Sequence, residues 1–385
     1  AASDVYKRQH ILRTLSIGTF SCVWLPVSYC HEERPCYHGA PDVRYCIWHM
    51  YEALTNSPSH APGIVRGRKL TEKCRDPWVD IIRVLAMLLI MIQHTPASHG
   101  FTVYATRAGV FFFFMAAGYF LARKYGGSPA SVPWLNWRKA FLILCAYLFW
   151  IFVSMALFGF PADIVKWMTG LGIGRPPLGT VLWFLRDLMV FVLVSGALFR
   201  MPRACLLILS MASLVLFSTS NSLYLSFEYM DKVFCVIHPR GFGAFALGMF
   251  LCRYSLEELK NAVGKAWLYV LMVFPVIFIW EMYSTVQESA LSLCMGVLWL
   301  ASCAFLMMRY FPGISSFCAR LAPSVFFVYA AHALVYECML RLGFPRGSFW
   351  IWGMAVPLVF LALSGLYFLL ARMCPAVLKY IALKN

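Results

Sequence analysis

Ten runs of mostly apolar residues, each about as long as a membrane-spanning helix, constrain this sequence more than any other feature. They occupy approximately residues 78–95, 106–123, 138–159, 180–199, 203–219, 236–252, 266–284, 289–308, 321–341 and 349–371. A helix needs roughly 20 apolar residues to cross the hydrocarbon core of a bilayer. The runs therefore predict an all-α, polytopic membrane protein with about ten transmembrane helices in one bundle.

The composition excludes a soluble globular protein. Of the 385 residues, 61% are hydrophobic and only 13% are charged, whereas soluble domains carry roughly 45–50% apolar and about 25% charged residues. We therefore expect the lipid bilayer to be the solvent. The formal charge of +16 fits cytoplasmic loops that touch anionic head groups. Nucleic-acid binding would need a basic face on a soluble fold, so no nucleic-acid partner is expected.

The distribution of Lys and Arg predicts the orientation in the membrane. When the residues before the first run are placed inside, the inner segments carry more than twice as many basic residues as the outer segments. Cytoplasmic segments are enriched in Lys and Arg. We therefore expect both termini to be cytoplasmic and the protein to be a multi-pass protein of a cell membrane, the inner membrane in a bacterium.

The sequence divides into three parts. Residues 1–75 are interpreted as an N-terminal extension that is irregular or spurious, residues 76–375 as the transmembrane domain, and residues 376–385 as a short cytoplasmic tail. The extension contains a Cys and His cluster formed by Cys30, His31, Cys36, His38, Cys46 and His49. Its spacing matches none of the usual zinc-ligand patterns. No metal site and no tightly bound cofactor is predicted.

Ionisable residues inside the apolar runs are the candidates for chemistry, because placing them in a membrane is costly. The first run contains Arg83 and His94 with ten residues between them. That spacing makes close to three helical turns, so both side chains share one face with an axial offset of roughly 16 Å. Asp80 lies one turn before Arg83 and can pair with it. An arginine that extends to the interface and an interfacial histidine are the alternative, and it stays open at this point.

The spacing of Arg83 and His94 resembles the arginine–ten–histidine motif of the membrane-bound acyltransferase-3 family. Further segments resemble motifs of that family in the same order, at residues 80–83, 110–119, 137–139, 182–188, 245–248 and 323–332. Ala117 departs from the pattern, because the family usually has a serine at that position. The resemblance implies a multi-span O-acyltransferase with ten spans, and it makes residues 76–375 the acyltransferase domain.

The resemblance also implies a reaction. Cytoplasmic acyl-CoA, most often acetyl-CoA, would be the co-substrate, and a hydroxyl of a cell-surface carbohydrate or of a related or lipid-linked acceptor would receive the acyl group. Arg83 would bind the CoA phosphates or order the site, because a guanidinium suits phosphate. His94 would act as the general base on the acceptor hydroxyl, or it would carry the acyl group itself.

Weaker candidates for contact with substrate are Asp80, Arg138, Lys139, Arg186, Tyr329 and His332. Arg186 and the aspartate that follows it are alternatively a buried ion pair. Tyr329 and His332 share one face of the ninth run, where the histidine is either packed and hydrogen-bonded or catalytic. Arg138 and Lys139 begin the third run, so they either anchor the topology or contact the CoA phosphates.

The competing interpretation is a transporter or flippase for a polar substrate, in which buried charges line a path. Two features of the sequence argue against it. We find no pair of Gly-interrupted or Pro-interrupted helices in matching halves of the chain. The pairing of Arg83 with His94 on one helix face also has no role in a transporter. We therefore predict an acyltransferase.

Overall fold

Helices account for the regular structure of the residues that the computed structural model describes. These are residues 76–97, 100–125, 133–159, 182–223, 238–283 and 289–382. The helices are α1 (Pro77–Gln93), α2 (Gly100–Lys124), α3 (Trp137–Phe158), α4 (Trp183–Arg200), α5 (Arg203–Leu223), α6 (Pro239–Leu251), α7 (Leu256–Tyr283), α8 (Ala290–Tyr310), α9 (Pro312–Leu321), α10 (Val325–Arg341), α11 (Phe349–Met373) and α12 (Pro375–Ile381). Each of the ten predicted runs overlaps one of these helices, which confirms the all-α prediction for the described part. The N-terminal extension lies outside the described residues.

Five helical segments in the described part of the chain are long and apolar enough to cross a membrane. They are Trp137–Phe158, Leu256–Trp280, Ala290–Tyr310, Pro312–Arg341 and Phe349–Met373. Large apolar side chains on these segments point outward, and Phe152, Met272 and Trp350 are 66%, 68% and 82% exposed. A surface of this kind belongs in lipid, since soluble proteins rarely expose large apolar patches. The chain is therefore a multi-pass membrane protein, whereas the crossing of the other runs and the side of both termini stay predictions.

The starts of α1 and α7 follow from local capping signals. The Asp76 side chain accepts a hydrogen bond from the Trp78 backbone N–H at 2.9 Å, and Pro77 occupies the first helical position, where its missing N–H costs nothing. At α7, the Ser255 N–H donates to the Glu258 carboxylate at 2.6 Å and the Glu258 N–H donates to the Ser255 hydroxyl at 3.1 Å. This reciprocal pair is a capping box. Because of this capping box, α7 begins at Leu256, ten residues before the start of the apolar run 266–284 that predicted the helix.

Helix α1 lies at the centre of the bundle. It packs against α2, α8, α9, α10 and α11, and residues on all its sides are buried. The Trp78 indole N–H donates to the carbonyl of Ala301 in α8 at 2.9 Å. A side chain at Gly109 of α2 would come within 2.6 Å of the carbonyl oxygen of Ala86 in α1. The ionisable residues of α1 are therefore held among other helices.

Helices α2 and α6 approach each other so closely that their backbones touch. A Cβ atom at Gly118 of α2 would overlap the carbonyl oxygen of Phe245 in α6. A Cβ atom at Gly248 of α6 would overlap the carbonyl oxygen of Met115 in α2. Small residues permit such an approach between membrane helices.

Substituting Gly248→Ala is expected to lower the free energy of unfolding by about 1–3 kcal/mol, the range for an overpacked core. The added methyl group meets a backbone carbonyl of Met115, which cannot rotate away as a side chain would. Gly365→Ala is the matched control, because nothing lies within 4 Å of a Cβ atom at Gly365 in the middle of α11. Thermal unfolding in detergent measures both. An equal effect of the two substitutions would contradict the close contact.

The segment before α10 is also helical, although it lies between the predicted eighth and ninth runs. Helix α9 begins with Pro312 and continues through a 3-10 turn, Ala322–Ser324, into α10. Within that turn the Ser324 hydroxyl lies 2.8 Å from the Ser364 hydroxyl of α11, and both side chains are buried. This hydrogen bond fixes the start of α10 against α11. It thereby positions the candidate site residues of α10.

Candidate active site

His94 ends α1 and faces a second histidine, His332 of α10. The backbone of His94 caps the helix, since its N–H donates to the carbonyls of Ile90 and Met91 at 3.2 Å. The centroids of the two imidazole rings are 5.4 Å apart, and the ring planes are tilted by 50°. His94 is half-buried and His332 is fully buried. The structure thus joins two candidate residues that are far apart in the sequence.

The imidazole of His332 is held by the backbone of its own helix. Its Nδ1 atom lies 2.7 Å from the carbonyl oxygen of Tyr329 and 3.2 Å from that of Val328. The Nε2 atom is buried and has no hydrogen-bond partner among the described residues. The Nδ1 atom of His332 is therefore fixed by backbone carbonyls, and the Nε2 atom can accept a hydrogen bond from a donor.

Aromatic rings surround His332. The Tyr329 ring lies 6.2 Å from the His332 ring and 5.3 Å from that of Phe184 in α4. On the next turn of α10, the Tyr336 ring lies 5.7 Å from His332 and 5.3 Å from Trp352 of α11. The Tyr336 hydroxyl is buried and, in the described part of the chain, has no hydrogen-bond partner. An apolar wall with a few convergent polar groups is the usual make-up of a ligand site.

Arg83 is fixed by a carboxylate and by an aromatic ring. Its Nη1 atom donates to Oδ1 of Asp80 at 3.1 Å, which confirms the pairing predicted from the spacing. Its guanidinium lies 5.3 Å from the ring centroid of Phe120 in α2, a distance at which a cation is attracted to the ring. The Arg83 side chain is 35% exposed. Because α1 is unbroken between Arg83 and Gln93, the axial offset of roughly 16 Å to His94 holds.

Arg186 belongs to a buried network of three side chains. Its Nε and Nη2 atoms donate to Oδ1 of Asp187 at 3.0 and 2.9 Å. The other oxygen, Oδ2, accepts from the backbone N–H of His238 at 3.0 Å and from its Nδ1 at 2.9 Å. The Asp187 side chain has no exposed surface. This network ties the start of α4 to the start of α6, and it bears out the ion-pair alternative for Arg186.

Arg138 and Lys139 lie apart from the histidine pair. Arg138 is exposed, and the Nζ atom of Lys139 lies 5.7 Å from the ring centroid of Tyr125, the residue that follows α2. The Tyr125 hydroxyl accepts a hydrogen bond from the side chain of Asn136 at 2.8 Å. Within the described part, neither cation has a hydrogen bond, ion pair or ring contact with His94 or His332.

Sequence reasoning overlooked two residues of this region, His238 and Tyr336. His238 precedes Pro239 at the start of α6, and an ionisable residue before a helix-initiating proline is a signal that could have found it. Its ring lies 4.2 Å from that of Trp183. Tyr336 stands four residues after His332, so the 3.6-residue period places it on the same face of α10. Both signals were present in the sequence.

Apolar side chains cover the outside of the membrane-spanning helices, and paired ionisable residues are buried between the helices, as expected of a multi-pass membrane protein. The chain matches the family model described as an acyltransferase domain over residues 76–371. It belongs to the acyltransferase-3 family and is an O-acyltransferase, as the sequence motifs predicted. No curated protein and no solved structure matches the chain.

Proposed function

We propose that this enzyme moves an acyl group, most often acetyl, from cytoplasmic acyl-CoA to a hydroxyl of a cell-surface carbohydrate or a related acceptor. The observation that carries the proposal is the position of His94. This residue of the arginine–ten–histidine motif ends the central helix and faces the buried imidazole of His332 at 5.4 Å between ring centroids. A half-buried imidazole such as His94 can accept a proton or an acyl group where bulk water is partly excluded.

Two routes for acyl transfer fit this arrangement. In direct transfer, the acceptor oxygen attacks the thioester carbonyl, a C–O bond forms and the C–S bond breaks. His94 takes the hydroxyl proton and passes it to the departing thiolate. In the two-step route, His94 displaces CoA first and forms a C–N bond, which the acceptor hydroxyl then replaces with a C–O bond. Labelled acetyl-CoA, quenched within the first turnover in the absence of a carbohydrate acceptor, separates them, since only the second route leaves label on the protein.

Arg83 is proposed to bind the phosphate portion of acyl-CoA. Its guanidinium is partly exposed, and the contacts with Asp80 and Phe120 hold it in one orientation. A planar guanidinium matches the oxygen atoms of a phosphate. The axial offset of roughly 16 Å between Arg83 and His94 is of the order of an extended pantetheine arm. The basic residues Arg138 and Lys139 at the start of α3 are further candidates for phosphate contacts.

Substituting Arg83→Ala is expected to raise the KM for acetyl-CoA about 10- to 100-fold, the equivalent of one lost hydrogen bond to a charged group. Arg83→Lys is expected to restore only part of the loss, because a lysine cannot form the bidentate contact. Steady-state release of CoA by the purified protein measures the effect. Arg309→Ala is the matched control, since its guanidinium also lies over an aromatic ring, 5.7 Å from that of Tyr310. An unchanged KM for acetyl-CoA in Arg83→Ala would reject the assignment of Arg83 to phosphate binding.

The decisive test of the proposed function is thioester cleavage by the purified protein in lipid nanodiscs. We expect the protein to bind acetyl-CoA and to release CoA, with water as the simplest acceptor hydroxyl. A transporter or flippase would do neither. Failure to bind or cleave a series of acyl-CoA esters would reject the assigned donor. Mass spectrometry of surface glycans from cells with and without the protein then identifies the acceptor.

A further inference from the structure

The two nitrogen atoms of His332 have different and definable roles. Nδ1 lies 2.7 Å from the carbonyl oxygen of Tyr329. A carbonyl oxygen only accepts hydrogen bonds, so Nδ1 of the neutral imidazole carries the hydrogen and Nε2 carries the lone pair. Nε2 is buried and lacks a partner among the described residues. A buried acceptor left without a donor is unfavourable, so a donor is expected in the working state.

The surroundings of His332 offer such a donor. The ring centroid of His94 lies 5.4 Å away, so a small rotation of its side chain can bring a ring nitrogen within hydrogen-bond reach of Nε2. The hydroxyl of Tyr336, whose ring centroid lies 5.7 Å from that of His332, is also buried without a partner in the described part. Polar atoms with unused hydrogen-bonding capacity therefore cluster at His332. Such a cluster indicates a place where a further polar group binds.

We propose that His332 is a positioning residue for His94. The Nε2 atom of His332 accepts the N–H of His94 when substrates are bound, and it thereby fixes the tautomer of His94. The second nitrogen of His94 then carries the lone pair that faces the substrates. This inference rests on the proposed function of His94 and deepens it. The order of groups is the Tyr329 carbonyl, His332, His94 and the acceptor hydroxyl, in which a base is oriented by a third group.

The proposed hydrogen bond strengthens during the reaction. When His94 takes the proton of the acceptor hydroxyl, both its nitrogens carry hydrogen and the ring becomes positively charged. The Nε2 atom of His332 then accepts a hydrogen bond from a charged donor, which is about twice as strong as a neutral one. In the two-step route, the same tautomer exposes the nitrogen that attacks the thioester. His332 therefore supports His94 in either route without touching the reacting atoms.

Two amide substitutions separate this role from a purely structural one. In His332→Gln the amide lies near the position of Nε2 and can accept the N–H of His94. In His332→Asn the amide lies near the position of Nδ1, where it can only preserve the hydrogen bond to the Tyr329 carbonyl. We expect the Gln variant to keep kcat within about 10-fold of the wild type. We expect the Asn variant and a His332→Leu variant to lose about 100-fold in kcat, with the KM for acetyl-CoA unchanged.

The assay is the release of CoA from acetyl-CoA by the full chain in nanodiscs, with water as the acceptor hydroxyl. An active Asn variant beside an inactive Gln variant would show that His332 only holds the Tyr329 carbonyl. Loss of activity in both, with the protein folded, would make His332 itself the base. Full activity in both would leave it without a role. Each of these outcomes overturns the proposal.

The parallel variant His94→Ala separates this inference from the proposed function. If His94→Ala is inactive and the Asn variant is active, only the role of His332 fails. If His94→Ala keeps full activity, the proposed function of His94 fails as well. Size-exclusion profiles and melting temperatures establish that each variant is folded. The comparison of Gln with Asn decides the question even if the Leu variant does not fold.

Discussion

Alanine in place of His94 is expected to lower acyl transfer by at least about 100-fold, because a general base contributes roughly 10²–10⁴ to the rate. The protein is expected to fold, since His94 is half-buried at the end of α1 and its capping hydrogen bonds come from the backbone. The substitution removes the ring contact with His332. The measurement is CoA release from acetyl-CoA, together with the melting temperature in detergent.

The neighbouring residue supplies the control for this experiment. The hydroxyl of Thr95, just after α1, donates to the carbonyl of Ile92 in α1 at 2.9 Å, and its loss leaves the imidazole in place. Thr95→Ala is therefore expected to keep activity close to that of the wild type. A folded His94→Ala protein with full activity would reject the catalytic assignment.

Removal of the Asp187 carboxylate is expected to have the largest effect on stability. Asp187→Ala removes the group that neutralises the buried guanidinium of Arg186 and that accepts two hydrogen bonds from His238. Breaking a buried ion pair by removing one partner costs about 3–5 kcal/mol. We therefore expect a loss of that order in the free energy of unfolding, measured by denaturation in mixed micelles.

An exposed ion pair in the same protein provides the comparison. Glu337 accepts a hydrogen bond from Arg341 at 3.2 Å, and the two side chains are 28% and 54% exposed. Surface pairs contribute about 0–1 kcal/mol, so Glu337→Ala is expected to change stability by less than about 1 kcal/mol. Equal losses in the free energy of unfolding for Asp187→Ala and Glu337→Ala would show that the buried network stabilises the fold no more than an exposed ion pair does.

The sequence predicted most of the fold because lipid imposes a simple requirement on helix length and apolarity. Long apolar stretches located α8 and α11 within a few residues, since each begins and ends at a polar or capping residue. The start of α7 was missed because its first turns are polar and are determined by the capping box of Ser255 and Glu258. A hydropathy criterion alone does not detect such a turn.

The sequence could predict contacts of the candidate site between residues of one helix, but it could not predict contacts between residues of different helices. The period of 3.6 residues was enough to pair Asp80 with Arg83, because both lie on α1. The contact between His94 and His332 depends on how α1 packs against α10, which no local pattern encodes. The sequence named both residues as candidates, and the fold brings them together. The bond from Asp187 to His238 was missed for the same reason.

The contact of backbone with backbone at Gly118 and Gly248 has a mechanical consequence. No side chain separates α2 from α6 at this crossing, so neither helix can slide or roll without a steric clash. The two helices are therefore expected to move as one rigid unit. The ring of Phe114 in α2 contacts that of Phe184, which in turn contacts Tyr329 beside His332. Any motion that admits substrates to the imidazoles is therefore expected to leave α2 and α6 in a fixed relation to each other.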